Sequence, residues 1–316
     1  MTIAFTFPGQ GSQQVGMGAE LAEAYASARE VFEAVDDALA QRLSAIMWNG
    51  PEDELTLTEN AQPALMAVSL AVTRVLVGDK GIELGKAVRF VAGHSLGEYS
   101  ALAAAGSIAL ADTARLLKTR GQAMQAAVPV GEGAMAALLG AELEDAKRLA
   151  KDASNGEVCE AANDNAPGQI VISGAAAAVG RAVEMAADYG ARRAVLLPVS
   201  APFHCSLMQP AAQVMAEALN EVQISSPAVP LVANVTAGEV TDPGEIRERL
   251  VQQVTGMVRW RESVGYMVEK GVGSLYEIGA GRVLTGLARR IERDLNAKSV
   301  GTPEEIDAAV EALETK

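Results

Sequence analysis

A serine set between two glycines, Gly93-His94-Ser95-Leu96-Gly97, is the stretch of this sequence best equipped for chemistry. The spacing is that of a G-x-S-x-G turn. Glycines allow a bend too tight for other residues, and the serine hydroxyl is presented as a nucleophile. The surroundings fit: the mostly apolar residues 88–92 predict a buried strand before the turn, and residues 98–105 predict a small-residue helix after it. The Leu96 N–H would then face an oxyanion forming on the attacked carbonyl, with the positive end of the helix beside it.

A serine needs a base, and the chain offers two histidines. His94 adjoins the nucleophile in a turn that sends its side chain elsewhere, so it reads as a structural histidine bonded to nearby backbone. His204 lies in Ser200-Ala201-Pro202-Phe203-His204-Cys205, a loop at a strand end, where bases commonly sit. Taken alone it could equally cap the helix that follows; beside the turn at Ser95 it is the better base. A carboxylate to complete the set is not evident. Asp145, Asp152, Asp164 and Asp188 fall between serine and histidine, the chain order of α/β hydrolases, yet all read as solvated.

Pro8-Gly9-Gln10-Gly11 closes the first predicted strand. Gln14 stands where a dinucleotide-binding turn needs its third glycine, so this turn is better suited to lending a backbone N–H to the same oxyanion. Cys159 and Cys205 are the two cysteines, and neither CxxC nor HExxH occurs. They give no disulfide framework and no structural zinc site, no metal is expected, and a reducing cytoplasm fits.

The elements that must carry these residues follow from composition and pattern. Apolar residues make up 49% and charged residues 21% of 316, the balance of a globular chain. The net charge of −14 argues against a nucleic-acid or anionic-membrane partner. No signal peptide and no transmembrane helix is expected. Strands are predicted at 3–7, 88–92, 229–235 and 274–278, with helices at 17–26, 28–43, 61–77, 98–105, 111–127, 207–222, 244–255, 260–270 and 283–295. Leu65, Val68, Val72 and Val75 mark one helical face. Between them, 134–139, 143–153, 158–162, 169–173, 179–189 and 193–198 read as βαββαβ, a ferredoxin-like order. The expected fold is α/β: a hydrolase-like parallel-sheet body, residues 1–129 and 199–316, carrying an inserted ferredoxin-like subdomain at 130–198. The polar tail after Asn296 reads as peripheral.

In chain order, Pro8-Gly9-Gln10-Gly11-Ser12-Gln13, Gly93-His94-Ser95-Leu96-Gly97-Glu98-Tyr99, Arg120-Gly121, Asn165-Ala166-Pro167-Gly168-Gln169, Pro202-Phe203-His204, Leu250-Val251-Gln252-Gln253 and Glu277-Ile278-Gly279-Ala280-Gly281 resemble the malonyl-CoA:acyl carrier protein transacylases of bacterial type II fatty acid synthesis. The resemblance spans residues 3–291. It implies that Ser95 is acylated, with His204 as its base, oriented by the backbone carbonyl of Gln253 instead of a carboxylate. It implies an oxyanion hole from the N–H groups of Gln10 and Leu96, and Arg120 as the holder of the malonyl carboxylate. By itself Arg120 reads as an arginine on a solvated helix face. Phe203 fits the malonyl-selecting form of its loop. The family's usual proline near Gly256 is absent, which reads as a surface variation.

The implied activity is ping-pong transfer of malonyl from malonyl-CoA to the phosphopantetheine thiol of acyl carrier protein, with no dissociable cofactor; a monomer is the default expectation for the chain. A malonate decarboxylase transferase subunit and a serine thioesterase or esterase are the competing readings within enzymes; a non-catalytic carrier-binding module is the one outside them. Acyl carrier proteins are acidic, so docking on a chain of net charge −14 would need a local basic patch. Arg192 with Arg193, or Arg282, Arg289 and Arg290, are the candidates.

Overall fold

Continuous apolar runs make strands buried on both faces, and alternating runs make strands buried on one. The chain has both kinds. A computed structural model describes residues 2–314. Among them, ten strands form two sheets: β1 (Thr2–Phe7), β2 (Phe90–Gly93), β3 (Gly133–Leu139), β4 (Cys159–Ala166), β5 (Gln169–Ala175), β6 (Arg193–Leu196), β7 (Leu231–Ala233), β8 (Gly238–Val240), β9 (Val272–Ile278) and β10 (Asn296–Val300).

The first sheet runs β10-β9-β1-β2-β7-β8, parallel except for the β7–β8 hairpin. Its central strand, β1, is buried from Ile3 to Phe7. Helices cover it; that at Thr58–Arg74 is buried over most of its length because it is apolar nearly all round. Together with the turn to Asp79 it is long and apolar enough to cross a membrane, but 83% of its most apolar window lies inside the protein.

The second sheet runs β4-β5-β3-β6, wholly antiparallel. The helices Leu143–Ser154 and Ala176–Met185 complete a βαββαβ order with its own core, including Leu138, Leu149, Ile170, Ile172 and Val179. The fold is the expected one: an α/β parallel-sheet body with a separate ferredoxin-like antiparallel unit.

Register decides what meets at the sheet's edge. Phe7 is level with Gly93, and Ala92 with Val232. Three neighbouring parallel strands therefore end together, and the loops after β1, β2 and β7 carry Gln10, Ser95 and Asn234. Open α/β sheets bind their ligands at this carboxyl end.

Three expectations need correction. The tail after Asn296 is not peripheral: β10 lies parallel to β9, with Ala297 and Val300 buried and Lys298 exposed, and the helix Pro303–Glu314 follows. β4 extends to Ala166, past the polar residues expected to form a turn. Asn163 and Asp164 are buried there because Asp164 N donates to Val258 O at 2.9 Å and Arg261 Nη2 lies 2.9 Å from the Asp164 carboxylate, both across to the body. The second predicted helix breaks at Ala40, in the left-handed region at φ 47°, and resumes as Leu43–Asn49.

Candidate active site

β2 hands the chain to a bend that only glycine can flank. A Cβ on Gly93 would lie 1.9 Å from Gly97 O, and one on Gly97 would lie 2.2 Å from Phe7 O. Ser95 sits in the bend at φ 54°, a strained value for a residue with a side chain. Asn234 holds it from the adjacent strand end: Ser95 N donates to its Oδ1 at 2.8 Å, and its Nδ2 donates to Gly93 O at 2.7 Å. The helix Gly97–Ala104 starts directly after Leu96.

His204 is the second strained residue, at φ 59°. Its Nε2 lies 2.8 Å from Ser95 Oγ. Its Nδ1 faces two main-chain carbonyls, Gln253 O at 2.9 Å and Gly256 O at 3.2 Å. Carbonyls only accept, so Nδ1 carries the hydrogen and Nε2 presents its lone pair to the serine. Burial, with the Arg120 charge second, holds the imidazole down to about 3. It is therefore neutral, as a base must be.

His204 caps no helix. Gly256 is not a surface detail: its carbonyl touches the base, and a Cβ there would lie 2.8 Å from Gln252 O. His94 bonds a side chain and not backbone. Its Nε2 is 2.8 Å from Asn165 Oδ1, and its ring meets Trp260 edge-on.

No carboxylate touches His204 among the described residues. Asp145 pairs with Arg148, Asp152 accepts from Tyr189, and Asp188 is exposed. Asp164 departs from the solvated reading: it is fully buried, because Arg261 of the body neutralises it.

Arg120 also departs from its solvated reading; it is 1% exposed. Gly121 is the reason. A Cβ there would come within 2.5 Å of Glu59 Cα, so its absence lets the helix Leu110–Ala126 close against the start of Thr58–Arg74. The guanidinium then reaches Gln62 Oε1 at 2.7 Å (Nη1), and Gln253 Oε1 at 2.9 Å and Ser95 Oγ at 3.1 Å (both Nη2). Tyr99 lies beneath it at 5.7 Å, and Nε has no acceptor among the described residues. Buried arginines are ordinarily paired with a carboxylate. Among the described residues no carboxylate forms an ion pair with this one.

Gln253 links the parts. Its Oε1 takes Arg120, its Nε2 donates to Ser95 O at 2.9 Å and Glu98 Oε2 at 2.7 Å, and its main-chain carbonyl takes His204. The N–H groups of Gln10 and Leu96 donate to no other described group. Gln10 anchors its side chain on Thr58 Oγ1 at 3.2 Å. Phe203 is 9% exposed and packs into the main core. A cavity of about 620 Å³, lined by residues including Gln10, Leu57 and Val199, opens at this end of the sheet.

The structure thus brings Ser95, His204, Arg120 and Gln253 into one hydrogen-bonded cluster. Sequence reasoning missed Gln62, Glu98 and Asn234. Gln62 had a readable signal, a polar residue in a helix whose other faces are apolar; Asn234 and Glu98 had only their places next to a strand end and the glycine turn.

The acyl transferase domain model matches residues 4–303. The malonyl CoA-acyl carrier protein transacylase of Bacillus subtilis is 45% identical over 312 residues, 98% of this chain and 97% of that protein. The Escherichia coli K12 protein of the same name is 46% identical over 309 residues, 98% and 99% of the two chains. Among solved structures, an acyl-carrier-protein-S-malonyltransferase from Bartonella henselae superposes with a TM-score of 0.97 at 59% identity, covering 99% of this chain and all of the other. A malonyl-transacylase in complex with a type II PKS acyl-carrier protein superposes at 0.95 with 43% identity, covering 99% and 100%.

Proposed function

This chain belongs to the family of malonyl-CoA:acyl carrier protein transacylases, and from that premise we propose that it moves malonyl from malonyl-CoA to the phosphopantetheine thiol of acyl carrier protein through a malonyl-serine intermediate. One observation carries the reading. A buried guanidinium that pairs with no carboxylate among the described residues stands 3.1 Å from the hydroxyl that a neutral imidazole holds at 2.8 Å. The carboxylate that Arg120 lacks in direct contact is then the substrate's: an acyl group ending in a carboxylate.

Ser95 Oγ attacks the thioester carbon while His204 Nε2 takes its proton. The oxyanion is held by the N–H groups of Gln10 and Leu96, each worth on the order of 3 kcal/mol. The imidazolium, steadied by Gln253 O through Nδ1, protonates the departing CoA thiolate. The carrier's thiol then attacks the malonyl ester, with His204 again serving as base, and the proton finally returns to Ser95. Arg120 binds the carboxylate through charge-assisted hydrogen bonds and fixes the acyl group's direction. Phe203, next to the base, limits the room for a substituent on the acyl α-carbon. No dissociable cofactor enters these steps. Residues 130–198 act as a subdomain inserted into the body formed by 1–129 and 199–316, and the enzyme works as a cytoplasmic monomer.

Intact-protein mass spectrometry after mixing with malonyl-CoA tests the reading. A single malonyl adduct is expected, removed by holo-carrier protein and absent from Ser95→Ala. An adduct that survives Ser95→Ala sinks the assignment of the nucleophile.

A further inference from the structure

Glu98 is the buried charge that these steps leave unused. It is 0% exposed on the helix that leaves the serine bend. Its Oε2 accepts from Gln253 Nε2 at 2.7 Å and from Asn234 N at 3.3 Å; its Oε1 is buried with no partner among the described residues. One amide separates this carboxylate from Arg120, since the Oε1 of the same Gln253 accepts from Arg120 Nη2 at 2.9 Å.

We propose that Glu98 is the resting counter-charge of Arg120 and gives up that charge, by taking a proton, when a carboxylated acyl group arrives. The inference rests on the reading of Arg120 as the acyl carboxylate's partner. Two carboxylates around a single cation in a dry site repel each other, and the one that can be protonated becomes neutral. Oε1, which no donor among the described residues stabilises, is the oxygen that takes the proton. Burial already pushes Glu98 up to about 7, and hydrogen bonds from Gln253 and Asn234 and the Arg120 charge pull against it.

The field around Glu98 is simple. β1, β2 and β7, which pack on its helix, carry no titratable side chain. On Thr58–Arg74, Glu59 is paired with Lys118 at 3.0 Å and Arg74 is exposed at the far end. On Leu110–Ala126, the remaining charges are Asp112, paired with Arg115 at 2.7 Å, and Lys118; Arg120 is the cation that faces Glu98. Tyr99, pushed up to about 12 by burial, stays neutral. On the helix bearing Gln253, Glu245 pairs with Arg249 at 3.0 Å, Glu248 is exposed, and Arg247 donates to Leu219 O. His204 and His94 are both held down by burial.

Proton uptake is the readout. Forming the serine ester from Ser95–OH and a thioester releases a thiol and leaves the proton count unchanged, so malonylation and acetylation differ only in what the malonyl carboxylate perturbs. At about pH 8, malonyl-CoA should draw up to one proton per Ser95 more than acetyl-CoA, measured with an indicator in weak buffer; near pH 5.5 the difference should vanish. Linkage also requires the malonyl KM to rise by up to tenfold per pH unit above about 7, while the acetyl KM stays flat. E98Q keeps an oxygen for Gln253 and Asn234 but cannot titrate, and its malonyl-minus-acetyl difference should be zero, whatever its absolute rate. No difference in the native enzyme at either pH overturns the inference, and so does a difference that persists in folded E98Q. The native measurement needs no variant, and a malonyl adduct that never forms would indict the substrate reading instead.

Discussion

Replacing Arg120 by methionine separates recognition of the acyl group from the chemistry on it. The side chain is 1% exposed, and methionine fills much of its volume without breaking the Leu110–Ala126 helix. Among the described residues three guanidinium contacts are in use, to Gln62, Gln253 and Ser95, and Nε has no acceptor. A malonyl carboxylate meeting the fork would make two charge-assisted hydrogen bonds of about 1.5–3 kcal/mol each. Their loss should lower kcat/KM for malonyl-CoA by roughly 3–6 kcal/mol, on the order of 10²–10⁴-fold. Acetyl-CoA has no carboxylate to lose. The serine loses one hydrogen bond, from Arg120 Nη2 at 3.1 Å, while its base and the two N–H donors stay in place, so acetyl transfer should change by less than about tenfold. The assay is single-turnover acylation with each thioester, followed by mass. Equal losses for both donors would refute the reasoning, because Arg120 would then serve the nucleophile and not the acyl head.

Burial, with the Arg120 charge second, depresses His204 to about 3, which fixes two signs. The base stays neutral as pH falls below 6.5, so acetylation of Ser95 should show no imidazole limb there; in Arg120→Met the limb should move upward. The stability that comes with a neutral His204 is present above pH 6.5 and lost as pH falls from 6.5 toward 3, so urea unfolding should show a weaker acid dependence in His204→Gln. Gly97→Ala drives a Cβ to 2.2 Å from Phe7 O and should cost about 3 kcal/mol or more, whereas Gly180→Ala, in a helix with open space, should add about 0.5–1 kcal/mol by thermal melts. Of the arginines proposed for carrier docking, Arg282 is paired with Glu305 at 2.9 Å and Arg289 donates to Ala297 O. Arg192, Arg193 and Arg290 are exposed without an ion pair among the described residues, so Arg193→Glu and Arg290→Glu should raise the carrier KM several-fold and leave Ser95 malonylation unchanged; an unchanged carrier KM puts docking elsewhere.

What could be read from the residues was whatever their type alone dictates. Gly93 and Gly97 announced the bend because no other residue fits it. With two histidines in the chain, the base was a choice between neighbours in sequence and neighbours in space. The parallel body was legible in the mostly apolar run at Ile3–Phe7, and the second sheet in its βαββαβ order. Arg120 and Asp164 were not legible as buried. A charge goes inside only when distant chain supplies its surroundings: Gly121 against Glu59 for the one, Arg261 for the other. β10 escaped because an edge strand needs few apolar residues, and Asn296–Val300 buries only Ala297 and Val300.

The acceptor that steers His204 belongs to the peptide of Gln253, not to its side chain. Alanine scanning would therefore pass over it, since every substitution at 253 retains that oxygen. What evolution must preserve there is the path of the chain at the end of Pro243–Thr255, a demand on shape that leaves no compulsory letter in the gene.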